Sequence, residues 1–86
     1  SYEIEKHHKE LVLKEMEIIA SVSETSPELM DEVMNTIRVV VSEAIPLEEQ
    51  LPDEIGIKAK KEILKEYYDC KYKALEQISE QYININ

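Results

Sequence analysis

The sequence SPELMDEVMNTIRVVVSEAIP, residues 26–46, has the clearest helix boundaries in the chain. Ser26 offers an N-cap hydroxyl, Pro27 suits the first helical position, and acidic residues follow in the first turn. Pro46 ends the helix, because the residue before a proline is disfavoured in the α region. Between these boundaries the apolar residues recur at three- and four-residue steps, as Met30, Val33, Met34, Ile37, Val40, Val41 and Ala44. The pattern predicts a helix over about 27–45.

The segments on either side show the same helical periodicity. A first helix is predicted over about 2–22, with an apolar face of Ile4, His8, Leu11, Val12, Met16, Ile19 and Val22. A third is predicted over about 53–82, capped by Asp53, with an apolar face of Ile63, Leu64, Tyr67, Tyr68, Ala74, Leu75, Ile78 and Tyr82. The connection at 46–52 has room for one helical turn at 47–50, with Leu47 and Leu51 packed on the core.

Size and composition place these helices in a single domain spanning residues 1–86. The chain has one glycine and three prolines, which is too little turn-forming material for a β-rich fold. We therefore predict an all-α fold, an antiparallel bundle of about three helices with a long C-terminal helix. The third helix would be about 43 Å long and would extend beyond the other two, at about 30 and 28 Å. Dimerisation would cover its free end and add core to a small domain.

The net charge of −9 limits the classes of partner. Binding to duplex nucleic acid or to an anionic membrane depends on lysine and arginine, so neither is expected. The sequence has no apolar run long enough to predict a transmembrane helix. The single cysteine, Cys70, cannot form an internal disulfide, which is typical of a reducing, cytoplasmic environment. A protein partner, of basic character, fits this charge best.

The first and second predicted helices have more apolar residues than one buried helix face can hold. The consecutive residues 39–41 spread over about 200° of a helix, and residues 11–13 do the same. Five tyrosines replace every Phe and Trp, and tyrosine is common at interfaces because its ring can be buried while its hydroxyl stays hydrated. The predicted interface consists of Leu13, Val39, Val41, Tyr67, Tyr68 and Tyr72. The alternative is that the tyrosines rim the internal core.

Negative charge is concentrated in the middle of the chain. Residues 27–52 contain six acidic residues and one base, Arg38, which gives a net charge of −5. The predicted acidic face consists of Glu28, Asp31, Glu32, Glu43, Glu48 and Glu49. It could capture a basic partner or act as a decoy in a nucleic-acid site of that partner. The simpler interpretation is that these carboxylates are solvated and lie near positive charges of the neighbouring helices without specific pairing.

Glu5 and His8 form a Glu-x-x-His step, the spacing that places two metal ligands on one helix face in di-iron bundles. Glu15 is the only acidic residue near the predicted core line, and a symmetric dimer would bring two such sets together. The other two helices have no acidic residue within their apolar stripes, so exposed helix residues explain the pattern more simply. A metal-binding bundle using Glu5, His8 and Glu15 is kept as the alternative function, and no cofactor is expected otherwise.

No pattern of residues predicts catalysis. With one glycine the sequence has no phosphate-binding Gly-rich loop and no Gly-flanked serine nucleophile. Cys70 is predicted in mid-helix, away from a helix N-terminus, as a buried or half-buried small apolar residue. We therefore predict a non-enzymatic protein–protein interaction domain, acting as a regulator, an inhibitor or a small subunit. It is expected to self-associate as a homodimer and to bind a protein partner.

Overall fold

The computed structural model describes residues 2–43 and 45–83, and for Tyr2 the backbone only. Within these ranges the chain is helical and contains no strand, so the all-α prediction is confirmed. The α-helices are α1 (Tyr2–Thr25), α2 (Met30–Val41), α3 (Leu47–Gln50) and α4 (Ile57–Ile83). A 3-10 turn at Pro27–Leu29 leads into α2. None of these helices combines the length and the apolar content that a bilayer-spanning helix requires.

The described residues thus form four α-helices where about three were predicted, and the second predicted helix is shorter than expected. Its first turn is 3-10, and the Ser26 side chain makes no capping hydrogen bond. Its α-helical part ends at Val41, because Ser42 adopts an extended backbone with φ −69° and ψ 138°. Three consecutive valines are poor helix formers, which favours a break here rather than at Pro46. Ala44, predicted within this helix, lies outside the described residues.

The ends of the other two long helices also differ from the prediction. α1 continues through the polar residues after Val22, and Thr25 Oγ1 donates a hydrogen bond to the Ser21 carbonyl at 2.8 Å. α4 begins at Ile57, so the prediction that Asp53 caps it is wrong. Asp53 lies in a preceding turn and its carboxylate is 3.8 Å from Lys60 Nζ. The predicted helical turn at 47–50 is confirmed as α3, and Leu47 and Leu51 pack against the core as expected.

Three helices enclose the core, and α1, α2 and α4 each contact the other two. His8 on α1 and the carbonyl of Val41 at the end of α2 both contact the middle of α4, at Tyr68 and Lys71. Beyond these contacts, Leu75 and Ile78 in the second half of α4 are buried against the later turns of α1 and the earlier turns of α2. α4 therefore runs parallel to α1 and antiparallel to α2. The core residues are Leu11, Ile18, Val22, Val33, Ile37, Leu64, Tyr68, Leu75 and Ile78.

The first turns of α4 extend past the beginning of α1. At 27 residues α4 is the longest element, about 40 Å, in a molecule that measures 48 × 22 × 18 Å. Ile57 is 76% exposed and Ile63, predicted on the apolar face, is 38% exposed. The predicted overhang of the long helix therefore exists at its N-terminal end, where α3 and the connection before α4 cover it in part.

α1 is rotated relative to the predicted helical wheel. Ile18, absent from the predicted apolar face, is completely buried, whereas Val12 and Met16, both predicted to face the core, are 50% and 60% exposed. The buried line instead runs through Leu11, Ile18 and Val22. α1 therefore has apolar residues on two sides, and only one of them faces the core.

Candidate functional site

A buried ion pair fastens the connection that follows α2 to the middle of α4. Lys71 Nζ lies 2.7 Å from Glu43 Oε1 and donates a second hydrogen bond to the Val41 carbonyl at 3.1 Å. The Tyr67 hydroxyl donates to the same Glu43 oxygen at 2.6 Å. The ammonium also lies 4.8 Å from the centroid of the Tyr67 ring, within cation–π range. Every polar group of this cluster therefore has a partner inside the chain.

The pKa values of this cluster indicate a structural role. Burial alone would raise the pKa of Glu43, but hydrogen bonds from Lys71 and Tyr67 and the charge of Lys71 outweigh it and lower the pKa. Burial would likewise lower the pKa of Lys71, but its hydrogen bond to Glu43 raises it. Burial and the bond to Glu43 raise the pKa of Tyr67. Each group is moved away from neutral pH, whereas a general acid or base works best with a pKa near it.

A second chain of hydrogen bonds joins α1, α4 and α3 through Tyr68. The Tyr68 hydroxyl donates to Glu48 Oε2 at 3.1 Å, and His8 Nε2 lies 2.7 Å from the same hydroxyl. A hydroxyl has a single proton, so which of Tyr68 and His8 donates the shorter bond depends on the tautomer of the imidazole. The His7 ring stacks on the Tyr68 ring at 5.3 Å and 13°. Burial, with the charge of Glu48, raises the pKa of Tyr68 far above its ordinary value.

The six residues of the predicted interface do not share one surface. Leu13 on α1 and Val39 on α2 are 55% and 83% exposed. Val41, Tyr67 and Tyr72 are half-buried and pack against the core. Tyr68 is 2% exposed, so its side chain has almost no surface to offer another chain.

Leu13 belongs to a strip of three exposed apolar residues on α1, and the predicted interface did not include the other two. Val12, Leu13 and Met16 fall within about 100° of one another on α1, facing away from the core. Their exposed fractions are 50%, 55% and 60%. We call these three residues the outer strip. The consecutive apolar residues 11–13 signalled an extra apolar face, but Met16 was assigned to the core.

An open groove of about 460 Å³ lies between α1 and α4, lined by residues of these two helices alone. Leu11 and Tyr68 lie at its floor, and Leu13 and Tyr72 line its sides. We call it the α1–α4 groove. Of its lining residues, sequence reasoning selected Leu13, Tyr68 and Tyr72 as interface residues. The neighbouring acidic residues could not be assigned to it without the parallel arrangement of α1 and α4.

The predicted acidic face is divided in the structure. Glu28, Asp31, Glu32 and Glu49 are exposed. Glu43 and Glu48 are half-buried and bind Lys71, Tyr67 and Tyr68 on α4. Two of the six carboxylates therefore hold the connection onto α4, and the remaining four are available on the surface.

The residues of the alternative metal site are spread along α1. No group of three His, Cys, Asp or Glu side chains in residues 2–43 and 45–83 is arranged to hold a metal ion. His8 Nε2 is bonded to the Tyr68 hydroxyl, and Glu5 is exposed. Cys70, predicted to be buried or half-buried, is exposed, because it lies on the side of α4 away from α1 and α2.

Glu15 lies at the edge of the core, half-buried, and burial raises its pKa. The carboxylate is therefore less stable in the folded chain than in the unfolded chain. Glu15→Gln should raise the urea midpoint at pH 7. The gain should shrink as the pH falls through the raised folded pKa and vanish below the unfolded value of 4.5, where the carboxyl is protonated in both states. Glu10→Gln, exposed on the same helix, is the control for the loss of one negative charge. Equal gains for both variants would contradict a burial effect.

The chain matches no protein family, no curated protein and no solved structure.

Proposed function

We propose that this chain is a non-enzymatic protein–protein interaction domain that self-associates as a dimer and binds a protein partner. The outer strip of Val12, Leu13 and Met16 carries the proposal. Large apolar side chains half exposed side by side on a helix are typical of a surface that another chain covers. The polar clusters on α4 favour a structural role over catalysis, because their side chains form hydrogen bonds with one another.

The position of the outer strip favours a symmetric contact between two copies. α1 spans Tyr2–Thr25, so the strip lies at its midpoint. Two α1 helices packed antiparallel about a twofold axis would place Val12 of each copy near Met16 of the other and overlap along their whole length. Such an isologous contact needs a patch that is complementary to itself, which a central apolar strip provides.

The outer strip supplies part of the association energy that a dimer of moderate affinity needs. Burying a large aliphatic side chain fully contributes about 1.5–3 kcal/mol, so burying the half-exposed residues of the strip contributes about 1 kcal/mol each. Six such residues in a symmetric pair give about 6 kcal/mol before the cost of association. Neighbouring contacts along α1 must supply the remainder, and a micromolar dissociation constant requires about 8 kcal/mol.

The test is the solution mass by light scattering on a sizing column, at low and at high salt. A dimer that persists at high salt is expected, because apolar contacts are not screened by ions. A monomer at every concentration up to about 100 µM, well above a micromolar dissociation constant, would contradict self-association.

Two variants locate the interface. Leu13→Glu and Met16→Glu should each weaken the dimer at least about tenfold, since an unpaired charge would replace a buried apolar contact. Val39→Glu is the matched control, because Val39 is exposed on another helix. All three variants should keep the circular dichroism of the original chain. If Val39→Glu dissociates the dimer and Leu13→Glu does not, the interface lies on α2 instead.

A further inference from the structure

We infer that the α1–α4 groove is a docking site for a basic amphipathic helix of another protein. The inference rests on the proposed role as an interaction domain, but it concerns a different surface of α1. Val12 and Met16 lie on one side of Leu13, and the groove lies on the other. α2 packs on the side of α4 that presents Tyr67 and Lys71. Tyr72 and Asp69 lie on the opposite side of α4, where the groove is open.

The shape of the groove fits a helix. α1 contributes lining residues from His7 to Glu17, a length of about 15 Å or nearly three helical turns. Leu11 at the floor is 7% exposed, and Leu13 and Tyr72 rise on either side. A helix laid between α1 and α4 would occupy the fourth position of a four-helix bundle, with residues at i, i+3 or i+4, and i+7 packed between the side chains of Leu13 and Tyr72.

The charge of the rim selects a basic occupant. Three acidic residues, Glu10, Glu17 and Asp69, line the groove with one lysine, Lys14. Lys14 Nζ is 3.5 Å from Glu17, so that pair is neutralised in part. Glu10 and Asp69, one on each helix, have no ion pair or side-chain hydrogen bond with the described part of the chain. Together with the net charge of −9, they favour lysine or arginine flanking the apolar face of the incoming helix.

The probe for this site is a fluorescein-labelled synthetic helix of about 18 residues, with leucines on one face and lysines on the other. Fluorescence anisotropy should show saturable binding that weakens as NaCl is raised from about 50 to about 300 mM. A peptide of the same composition in scrambled order has the same charge but no apolar face, and it should bind at least about tenfold more weakly. Equal binding of the two peptides would overturn the inference, since charge alone would explain it.

Charge reversal then locates the site. Glu10→Lys with Asp69→Lys should weaken binding at least about tenfold. Glu28→Lys with Asp31→Lys changes the net charge by the same amount on exposed positions outside the groove and should have less than about a twofold effect. Equal loss in both double variants, loss in the second alone, or no binding of the helix to the original chain would each overturn the inference.

Light scattering on the same samples separates this inference from self-association. The Glu10→Lys, Asp69→Lys variant should remain a dimer. A monomer would mean that a second copy occupies the groove, which would overturn the inference. If the original chain is a dimer that binds no peptide, self-association stands and the groove is removed as a partner site. If the original chain is a monomer that binds the peptide at the groove, the inference is supported and self-association is contradicted.

Discussion

Ile18→Ala is expected to lower the free energy of unfolding by about 2–5 kcal/mol, as large-to-small substitutions of fully buried aliphatic residues do. Ile18 has no exposed surface and belongs to the core that α1, α2 and α4 share. Removing its outer carbons leaves a cavity among tightly packed neighbours, because a small bundle cannot collapse around it completely. A loss of this size is a large fraction of the stability of a domain this small.

Met16→Ala is the matched control for Ile18→Ala, two residues away on the same helix and 60% exposed. It should change the free energy of unfolding by less than about 0.5 kcal/mol. Both are measured by urea denaturation at about 1 µM, where dimerisation adds little to the stability. The reverse result, a costly Met16→Ala and a neutral Ile18→Ala, would mean that α1 faces the core as its predicted apolar stripe suggested.

The rotation of α1 shows where helical periodicity stops being informative. Leu11 and Ile18 form one apolar line, and Val12 and Met16 form another about 100° to 140° away. Both lines have the spacing of an amphipathic helix, so the sequence alone gave no means of choosing between them. The choice follows from packing, since the line that meets α2 and α4 is buried. The line that remains exposed is the one on which the proposed self-association depends.

Local signals predicted the elements better than their ends. The one-turn helix α3, with Leu47 and Leu51 on the core, follows from two prolines that bracket a short amphipathic segment. The end of α2 does not follow from Pro46, because the chain turns at Ser42, four residues earlier. That turn brings Glu43 to α4, and no local pattern reports a contact between residues 28 positions apart.

The sequence predicts a surplus of apolar and acidic residues, but not which of them form the candidate surfaces. An apolar surplus on α1 and an acidic surplus in the whole chain are evident from composition and spacing. Which apolar residues remain exposed, and which carboxylates are used internally, depends on the rotation of each helix. Leu13, predicted as an interface residue, is exposed, whereas Tyr68 and Glu43, also predicted on surfaces, bind inside the chain.

Lys71→Met is the second substitution with a large expected effect, a loss of about 2–3 kcal/mol in the free energy of unfolding. The side chains of Lys71 and Glu43 are 10% and 16% exposed, so the carboxylate would be left nearly buried without its cation. The Val41 carbonyl would lose its lysine donor as well. This estimate is below the range for completely buried pairs, because the residual exposure lets water replace part of the interaction.

Lys73→Met controls for the loss of a positive charge on the same helix, since Lys73 is exposed. It should change the stability by less than about 0.5 kcal/mol. Glu43→Gln and the double variant complete a thermodynamic cycle, in which the double variant should be more stable than the sum of the two single losses predicts. Additive losses would contradict a direct interaction between Lys71 and Glu43.

The pH dependence of Lys71→Met distinguishes loss of the ion pair from loss of packing. The pKa of Glu43 is lowered from 4.5 in the folded chain, so its contribution is present above the unfolded pKa and is lost as the pH falls through the folded value. The pKa of Lys71 is raised from 10.5, so its contribution is present below that value and is lost as the pH rises through the folded one. The stability difference between the original chain and Lys71→Met should therefore be largest between about pH 5 and pH 10 and should shrink on both sides. A difference that stays constant from about pH 3 to pH 11 would mean that the methylenes of Lys71, not its charge, stabilise the contact between α4 and the connection after α2.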